Sequence, residues 1–375
     1  MAKIGVVTYS FTKDNYGQVL QFLATKIFLE GLGHNVNLLY TKGHKRSLLI
    51  KIYGYLKRLV GRHKKTNETY KSLSQKELEK QLVFDEWAKV TDEKEKKNPR
   101  LFEKFRSKHF NIVKGSYEKI LNSGYDAICV GSDQTWSCPS ELYMLGWVNG
   151  DAKKFSIAPS VGHKQYTQEE IKGIVPWIKS FDFITVRENN GLDLVKKTGR
   201  HDAIKILDPT LLVDYSSYKK YSKCLPQHRP YVFVYLLGGE ISVSVESIVD
   251  FCKKNGFEVK YVESQGRNEN IDSIPATVEE WLGLMDNASY VITNSFHGMA
   301  FALIYHKPFL VFPLIGIMED MNERVYNLAE TTGLKERIYK GNLQLLFSTI
   351  DWSIADKIRI DNQRTLSCMI SKLLS

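Results

Sequence analysis

The segment Thr293-Asn294-Ser295-Phe296-His297-Gly298 holds the most chemically useful residues of this 375-residue chain. The apolar stretch Tyr290–Thr293 reads as a strand, and Met299, Ala300 and Leu303 open a helix behind it. Asn294, Ser295, His297 and Gly298 therefore stand where a strand ends and a helix begins. Free N–H groups and the positive end of the helix dipole attract anions there, and a histidine exchanges protons near neutral pH. The plainer reading of the same residues is a helix cap with a packed imidazole. Arg187 closes the apolar stretch Phe183–Val186, where a guanidinium suits bidentate binding of phosphate or carboxylate; an ion pair with Glu188 or Asp182 is its plainer role. The run Gly131-Ser132-Asp133-Gln134-Thr135-Trp136 follows Ala127–Val130 and offers either ligand-binding groups or an ordinary helix cap. Asp14-Asn15-Tyr16-Gly17-Gln18 follows Lys3–Tyr9 and is similar to a phosphate- or sugar-binding turn. It is not GxGxxG, and GxxxxGK[ST] is absent, so neither dinucleotide nor P-loop binding gains support.

The elements that must position these residues alternate. Lys3–Tyr9 as strand, Asn15–Gly31 as helix and Asn35–Tyr40 as strand form the βαβ opening of a doubly wound α/β domain. Residues 42–110 are charged, poor in glycine and helical in tendency, and read as a helical insertion. Strands resume at Ala127–Val130, Lys154–Ala158, Phe183–Val186 and Ile204–Leu207. A second series runs through Tyr231–Leu237, the helix Ser242–Asn255, Glu258–Val262, the helix Thr277–Asp286, Tyr290–Thr293 and Phe309–Phe312. Cys224–Pro230, polar and carrying two prolines, suits a linker. The expected organisation is an N-terminal Rossmann-like domain at 1–223, a C-terminal one at 228–350, and a helix at 351–375 that packs back on the first domain. Two such domains leave one cleft, and ligands of such sheets bind beyond the strand C-termini.

Apolar residues at 43 % and charged ones at 25 % are ordinary globular values. The five cysteines share no CxxC spacing, which argues against a zinc site and a disulfide framework and for a reducing compartment. The N-terminus lacks the pattern of a signal peptide, and no apolar run is long enough to span a bilayer. The expected location is cytoplasmic, with the inner membrane face as a surface it can visit. Of the net charge of +10, nine units lie between Lys42 and Lys65, a stretch without Asp or Glu. Within Leu48–Val60 the apolar residues follow helical spacing, and Lys51, Arg58, Arg62 and Lys65 gather on another side. Residues 45–65 thus fit a cationic helix lying on an anionic membrane, or a solvated helix packed on the protein. No known nucleic-acid module accompanies the charge, so no nucleic-acid partner is expected.

Taken together, Asn15-Tyr16-Gly17 with Leu20-Gln21, Gly131–Trp136, Ala158-Pro159-Ser160-Val161-Gly162, Val186-Arg187-Glu188, Asp208-Pro209-Thr210, Ser295–Gly298 and Asn322-Glu323-Arg324-Val325 resemble, in order, the polysaccharide pyruvyl transferase family. The resemblance covers nearly the whole chain outside 42–110. It implies the two-Rossmann-domain architecture of GT-B glycosyltransferases. It also implies transfer of a pyruvyl group from phosphoenolpyruvate to a sugar of a surface polysaccharide precursor, lipid-linked where the membrane is involved, giving a cyclic ketal without cofactor or metal. By resemblance His297 is the essential histidine and Arg187 binds the donor, with Asn294, Ser295 and Gly298 beside it. Asn15, Tyr16, Gly17, Ser132, Asp133, Gln134 and Ser160 would line the cleft or hold the acceptor. Many members carry Arg-Leu-His-Gly where this chain has Ser295-Phe296-His297-Gly298, and Arg324 is the candidate to replace the missing charge. A nucleotide-sugar glycosyltransferase and a non-catalytic carbohydrate-binding protein are the alternatives on the same architecture.

Overall fold

The computed structural model describes residues 1–41, 75–162, 165–226, 229–267 and 269–375. The basic stretch 45–65, and with it the expected membrane-binding helix, lies outside the described residues.

The first domain is built on β1 (Lys3–Val7), β2 (Asn35–Thr41), β3 (Ile112–Gly115), β4 (Ala127–Val130) and β5 (Lys153–Ser156), arranged β3-β2-β1-β4-β5. All its pairings are parallel, with Ile4 opposite both Val36 and Ala127. β3 goes beyond the sequence reading, which resumed the strands only at Ala127. Its residues are mostly half-buried and follow a charged segment, so it carries little apolar signal. The sheet continues by a parallel bridge from Phe155 to Phe183, and β6 (Thr185–Val186) then pairs with β7 (Ile204–Lys205). The strands read as near-continuous apolar runs because helices cover both faces; β4 is buried at every residue.

The second domain repeats the plan. β8 (Tyr231–Tyr235), β10 (Glu258–Tyr261), β11 (Tyr290–Thr293) and β12 (Phe309–Val311) form a parallel sheet in the order β10-β8-β11-β12, while β9 (Glu240–Ile241) and β13 (Leu314–Ile315) make a small antiparallel pair beside it. The architecture is thus α/β, with two Rossmann-like domains facing each other.

Three contacts fix the domains together. The helix Tyr16–Gly31 meets the helix Phe296–Ile304, and one apolar cluster runs from Tyr16 and Leu20 through Tyr218 to Trp281 and Phe301. Tyr16 stacks on Trp281 at 5.5 Å between ring centroids and donates its hydroxyl to the Ala276 carbonyl at 2.5 Å. The C-terminal helix Ser353–Leu374 reaches back to the first domain, where Arg359 Nε donates to the Leu211 carbonyl at 2.9 Å and the Asn362 side-chain Oδ1 accepts from Leu207 N–H at 2.9 Å. The helix Gln75–Lys97, part of the insertion, leans on the second domain instead. Trp87 lies where a side chain at Gly238 or Gly266 would stand, Lys94 pairs with Glu263 at 3.4 Å, and Lys80 pairs with Asp320. This helix straps over the C-terminal ends of β8 and β10.

Candidate active site

Arg187, at the end of β6, donates from Nε to Glu188 Oε1 at 3.0 Å and from Nη1 to Asp208 Oδ2 at 2.9 Å. Asp208 follows β7 and is completely buried. Ser132 donates to the same Oδ2 at 2.6 Å, while the N–H and hydroxyl of Thr210 donate to Oδ1 at 3.0 and 2.8 Å. Ser160 donates to Glu188 Oε1 at 2.6 Å. Burial works against the charge on Arg187, but Glu188 and Asp208 more than offset it and hold the guanidinium firmly protonated. Burial alone would also raise the Asp208 carboxyl, yet His297, Arg187 and the Ser132 hydrogen bond hold it below the ordinary carboxylate range. The network is a buried ion cluster from the first domain in which one guanidinium is shared by two carboxylates.

The second domain closes over it. Ser295 caps the helix Phe296–Ile304 by accepting from Gly298 N–H at 3.3 Å. The cap sets His297 in the first turn, with Nε2 at 3.8 Å from Asp208 Oδ2. The ring packs directly on Gly17, at the start of the first helix of the other domain. Burial pushes the His297 pKa below its ordinary value; Asp208 and Asp133 oppose this, and Arg187 and Arg324 add to it. The imidazole is therefore neutral near pH 7. Phe296 lies beneath Arg187, with the guanidinium carbon 4.5 Å from the ring centroid, a distance typical of cation–π contact.

Arg324 enters from the second domain, half-buried, and lines a narrow pocket with Arg187, Glu188, Asp208 and Phe296. No hydrogen bond or ion pair holds its guanidinium among the described residues. Burial and the nearby Arg187 charge both press against its own charge, so an anion bound between the two arginines would be stabilised.

Three buried polar atoms in this cluster have no hydrogen-bond partner among the described residues: Arg187 Nη2, Glu188 Oε2 and His297 Nε2. Leaving a buried polar group unpaired costs about 1–3 kcal/mol, so three together make this cluster the candidate ligand site. Backbone strain points the same way. Asp133 and Ala158, neither of them glycine, adopt left-handed φ values of 69° and 50°, and such strain collects at functional sites. The strained turns are tied together by the Ser160 N–H donating to the Asp133 carbonyl at 2.8 Å.

The structure thus gathers His297, Arg187, Arg324, Asp133, Ser132 and Ser160 around one point. Ser132 and Ser160 are fully buried and act through Asp208 and Glu188 rather than by facing the pocket. Gln134 is half-buried, beside Gly162. Other expected site residues are committed to the fold. Asn294 pairs with both backbone groups of Leu237, at 2.7 and 3.0 Å. Ser295 and Asn15 are helix caps, Asn15 accepting from Gln18 N–H at 3.2 Å. Tyr16, expected to line the cleft, is fully buried between the domains, with its ring on Trp281 and its hydroxyl given to the Ala276 carbonyl. Gly17 serves by its size, because it admits the His297 ring. The residues that the site reading missed are Glu188 and Asp208. Both follow apolar strands, the same positional signal that singled out Arg187.

Among curated proteins, none matches the chain. The sequence profile of the family described as polysaccharide pyruvyl transferase matches residues 15–314. Solved structures with a related course include UDP-GlcNAc 2-epimerase from Methanocaldococcus jannaschii, with TM-score 0.47, 12 % identity, and coverage of 98 % of this chain and 99 % of that one. TarM aligns with TM-score 0.48 and 10 % identity over 100 % of this chain and 99 % of its own. UDP-GlcNAc 2-epimerase from Neisseria meningitidis, bound to UDP-GlcNAc, gives 0.44 and 11 % over 100 % and 99 %.

Proposed function

The chain belongs to the polysaccharide pyruvyl transferase family, and on that premise we propose that it moves a pyruvyl group from phosphoenolpyruvate to a sugar hydroxyl, closing a cyclic ketal. The observation that carries this reading is the set of buried atoms on Arg187, Glu188 and His297 that lack a hydrogen-bond partner among the described residues, beside Arg324, which is unpaired among them too. Phosphoenolpyruvate presents a phosphate and a carboxylate. Arg324 and Arg187 Nη2 offer donors to them, and so do the free N–H groups in the first turn of the helix Phe296–Ile304. Arg324 thereby takes over the charge that a serine at position 295 does not supply.

His297 is the proton carrier of this scheme. It is neutral in the free protein, and the arriving trianion favours its protonated form. The imidazolium then delivers a proton to C3 of the enol, which makes C2 electrophilic. General acid–base help of this kind contributes roughly 10²–10⁴-fold. The acceptor is a sugar of a surface polysaccharide precursor. No helix among the described residues is long and apolar enough to cross a membrane. The basic segment 45–65 supports a lipid-linked acceptor met at an anionic membrane face, and the protein should then sediment with anionic vesicles at low salt; failure to do so removes the membrane from the scheme.

The nucleotide-sugar alternative gains little from the second domain, where Trp87 sits on Gly238 and Gly266 over the strand ends. Incubation with phosphoenolpyruvate and sugar acceptors separates the two readings: pyruvyl transfer releases phosphate, whereas glycosyl transfer releases a nucleotide from a sugar donor.

A further inference from the structure

Ketal formation moves protons at four places: C3 of the donor, the two acceptor hydroxyls and the leaving phosphate. In the first step an acceptor hydroxyl adds across the C2–C3 double bond of the donor. C3 must gain a proton while the attacking oxygen loses one, at adjacent carbons and at the same time. When attack keeps pace with proton delivery, the imidazolium giving its proton to C3 cannot in that same step take the hydroxyl's proton. A second group with a free lone pair has to face the acceptor.

Glu188 fits that requirement by position. It stands on the first-domain wall in the pocket lined also by Asp208 and by Phe296, the neighbour of His297 in the second domain, and is 2 % exposed. Its two oxygens are used differently. Oε1 accepts from Ser160 at 2.6 Å and Arg187 Nε at 3.0 Å, which fixes the carboxylate in place. Oε2 is buried without a hydrogen-bond partner among the described residues, and Glu188 lines the same pocket as Arg324 and Asp208. Asp208, the other carboxylate of the cluster, has Oδ2 shared between Ser132 and Arg187 and Oδ1 bonded twice to Thr210. It has no comparable free oxygen.

On the reading that the donor is phosphoenolpyruvate, we infer that Glu188 Oε2 is a catalytic base that binds the acceptor hydroxyl and takes its proton. The steps balance. His297 gives its proton to C3, and the first acceptor oxygen bonds to C2 as its proton passes to Glu188. The bond from C2 to the phosphate oxygen then breaks, phosphate leaves with the electron pair, and Glu188 returns its proton to that leaving group. The second hydroxyl bonds to the resulting oxocarbenium carbon and gives its proton to His297. Both groups end as they began, and the products are ketal and phosphate. Arg187 Nε and Ser160 act through Glu188 as positioning groups.

The test is Glu188→Gln in the full chain, with donor affinity and turnover measured separately. Glutamine keeps a carbonyl oxygen for Arg187 and Ser160 and replaces Oε2 by a group that accepts no proton. The expected result is donor binding within about 2-fold of wild type, with turnover down by about 10²-fold or more. Glu188→Ala should lose turnover likewise and recover part of it when formate is supplied as an external base. Turnover of Glu188→Gln within about 5-fold of wild type overturns the assignment, and so does a loss of donor affinity that alone accounts for the lost activity. Should the wild-type protein fail to consume phosphoenolpyruvate, the donor reading itself fails and the assignment falls with it. An active wild type with an active Glu188→Gln removes only Glu188.

Discussion

Replacing Gly17 by alanine should inactivate the protein from the opposite domain. Gly17 begins the helix Tyr16–Gly31, and the His297 ring lies against its backbone. A methyl group there would stand 2.5 Å from His297 Cγ and 2.7 Å from Cε1, and closer still to Nδ1, whereas ordinary contact begins at 3.4 Å. The ring must therefore withdraw by about 1 Å, or the two helices must part by as much. His297 is only 7 % exposed, so the displacement cannot be absorbed by swinging into solvent. Overpacking of this kind costs about 1–3 kcal/mol. A misplacement of about 1 Å at a reacting group costs about 10²-fold in rate. The assay pairs a denaturation midpoint with turnover of phosphoenolpyruvate in the presence of acceptor. Gly31→Ala is the control, because it lies in the same helix and its methyl would meet nothing within 4 Å. The reasoning is refuted if Gly17→Ala keeps more than about a third of wild-type turnover at unchanged stability.

Arg324→Ala should raise the donor KM by roughly 10- to 100-fold, the loss of one or two charge-assisted hydrogen bonds at about 1.5–3 kcal/mol, with Arg324→Lys recovering part of it; an unchanged KM removes Arg324 from donor binding. Acid should weaken the fold through His297. Burial lowers its folded pKa, so the unfolded chain binds the extra proton more readily, and stability present above about pH 6.5 is lost as pH falls below that value. His34 and His109 are also lowered by burial, so His297→Gln should reduce the slope of unfolding free energy against pH between about 6.5 and 5 rather than abolish it. An unchanged slope means that His297 is not held neutral.

The rhythm of strand and helix was legible because buried parallel strands are short apolar runs such as Tyr231–Leu237 and Tyr290–Thr293. The rule that ligands gather at strand ends singled out His297, Arg187 and Ser132, which the structure brings together around Asp208. What it could not do was divide those polar residues by role. Asn294 and Ser295 have the residue types of a binding turn and of a capping turn alike, and the decision lies in Asn294's pairing with Leu237, 57 positions away. Glu188 was read only as the ion-pair partner of Arg187, since sequence does not show that one of its oxygens stays free. Tyr16 sits in a motif beside the site, but its ring fills the domain boundary. The strap made by Gln75–Lys97 was hidden for a similar reason, because Trp87 meets two glycines far along the chain.

The most direct test of the account follows phosphate release and the mass of the acceptor when wild-type protein and His297→Ala are incubated with phosphoenolpyruvate and a panel of sugar acceptors. The account predicts a pyruvyl adduct formed with equimolar phosphate by the wild type, and none from a His297→Ala protein that is folded. Near-normal turnover by His297→Ala, or transfer that depends on a nucleotide sugar and leaves phosphoenolpyruvate intact, would contradict it.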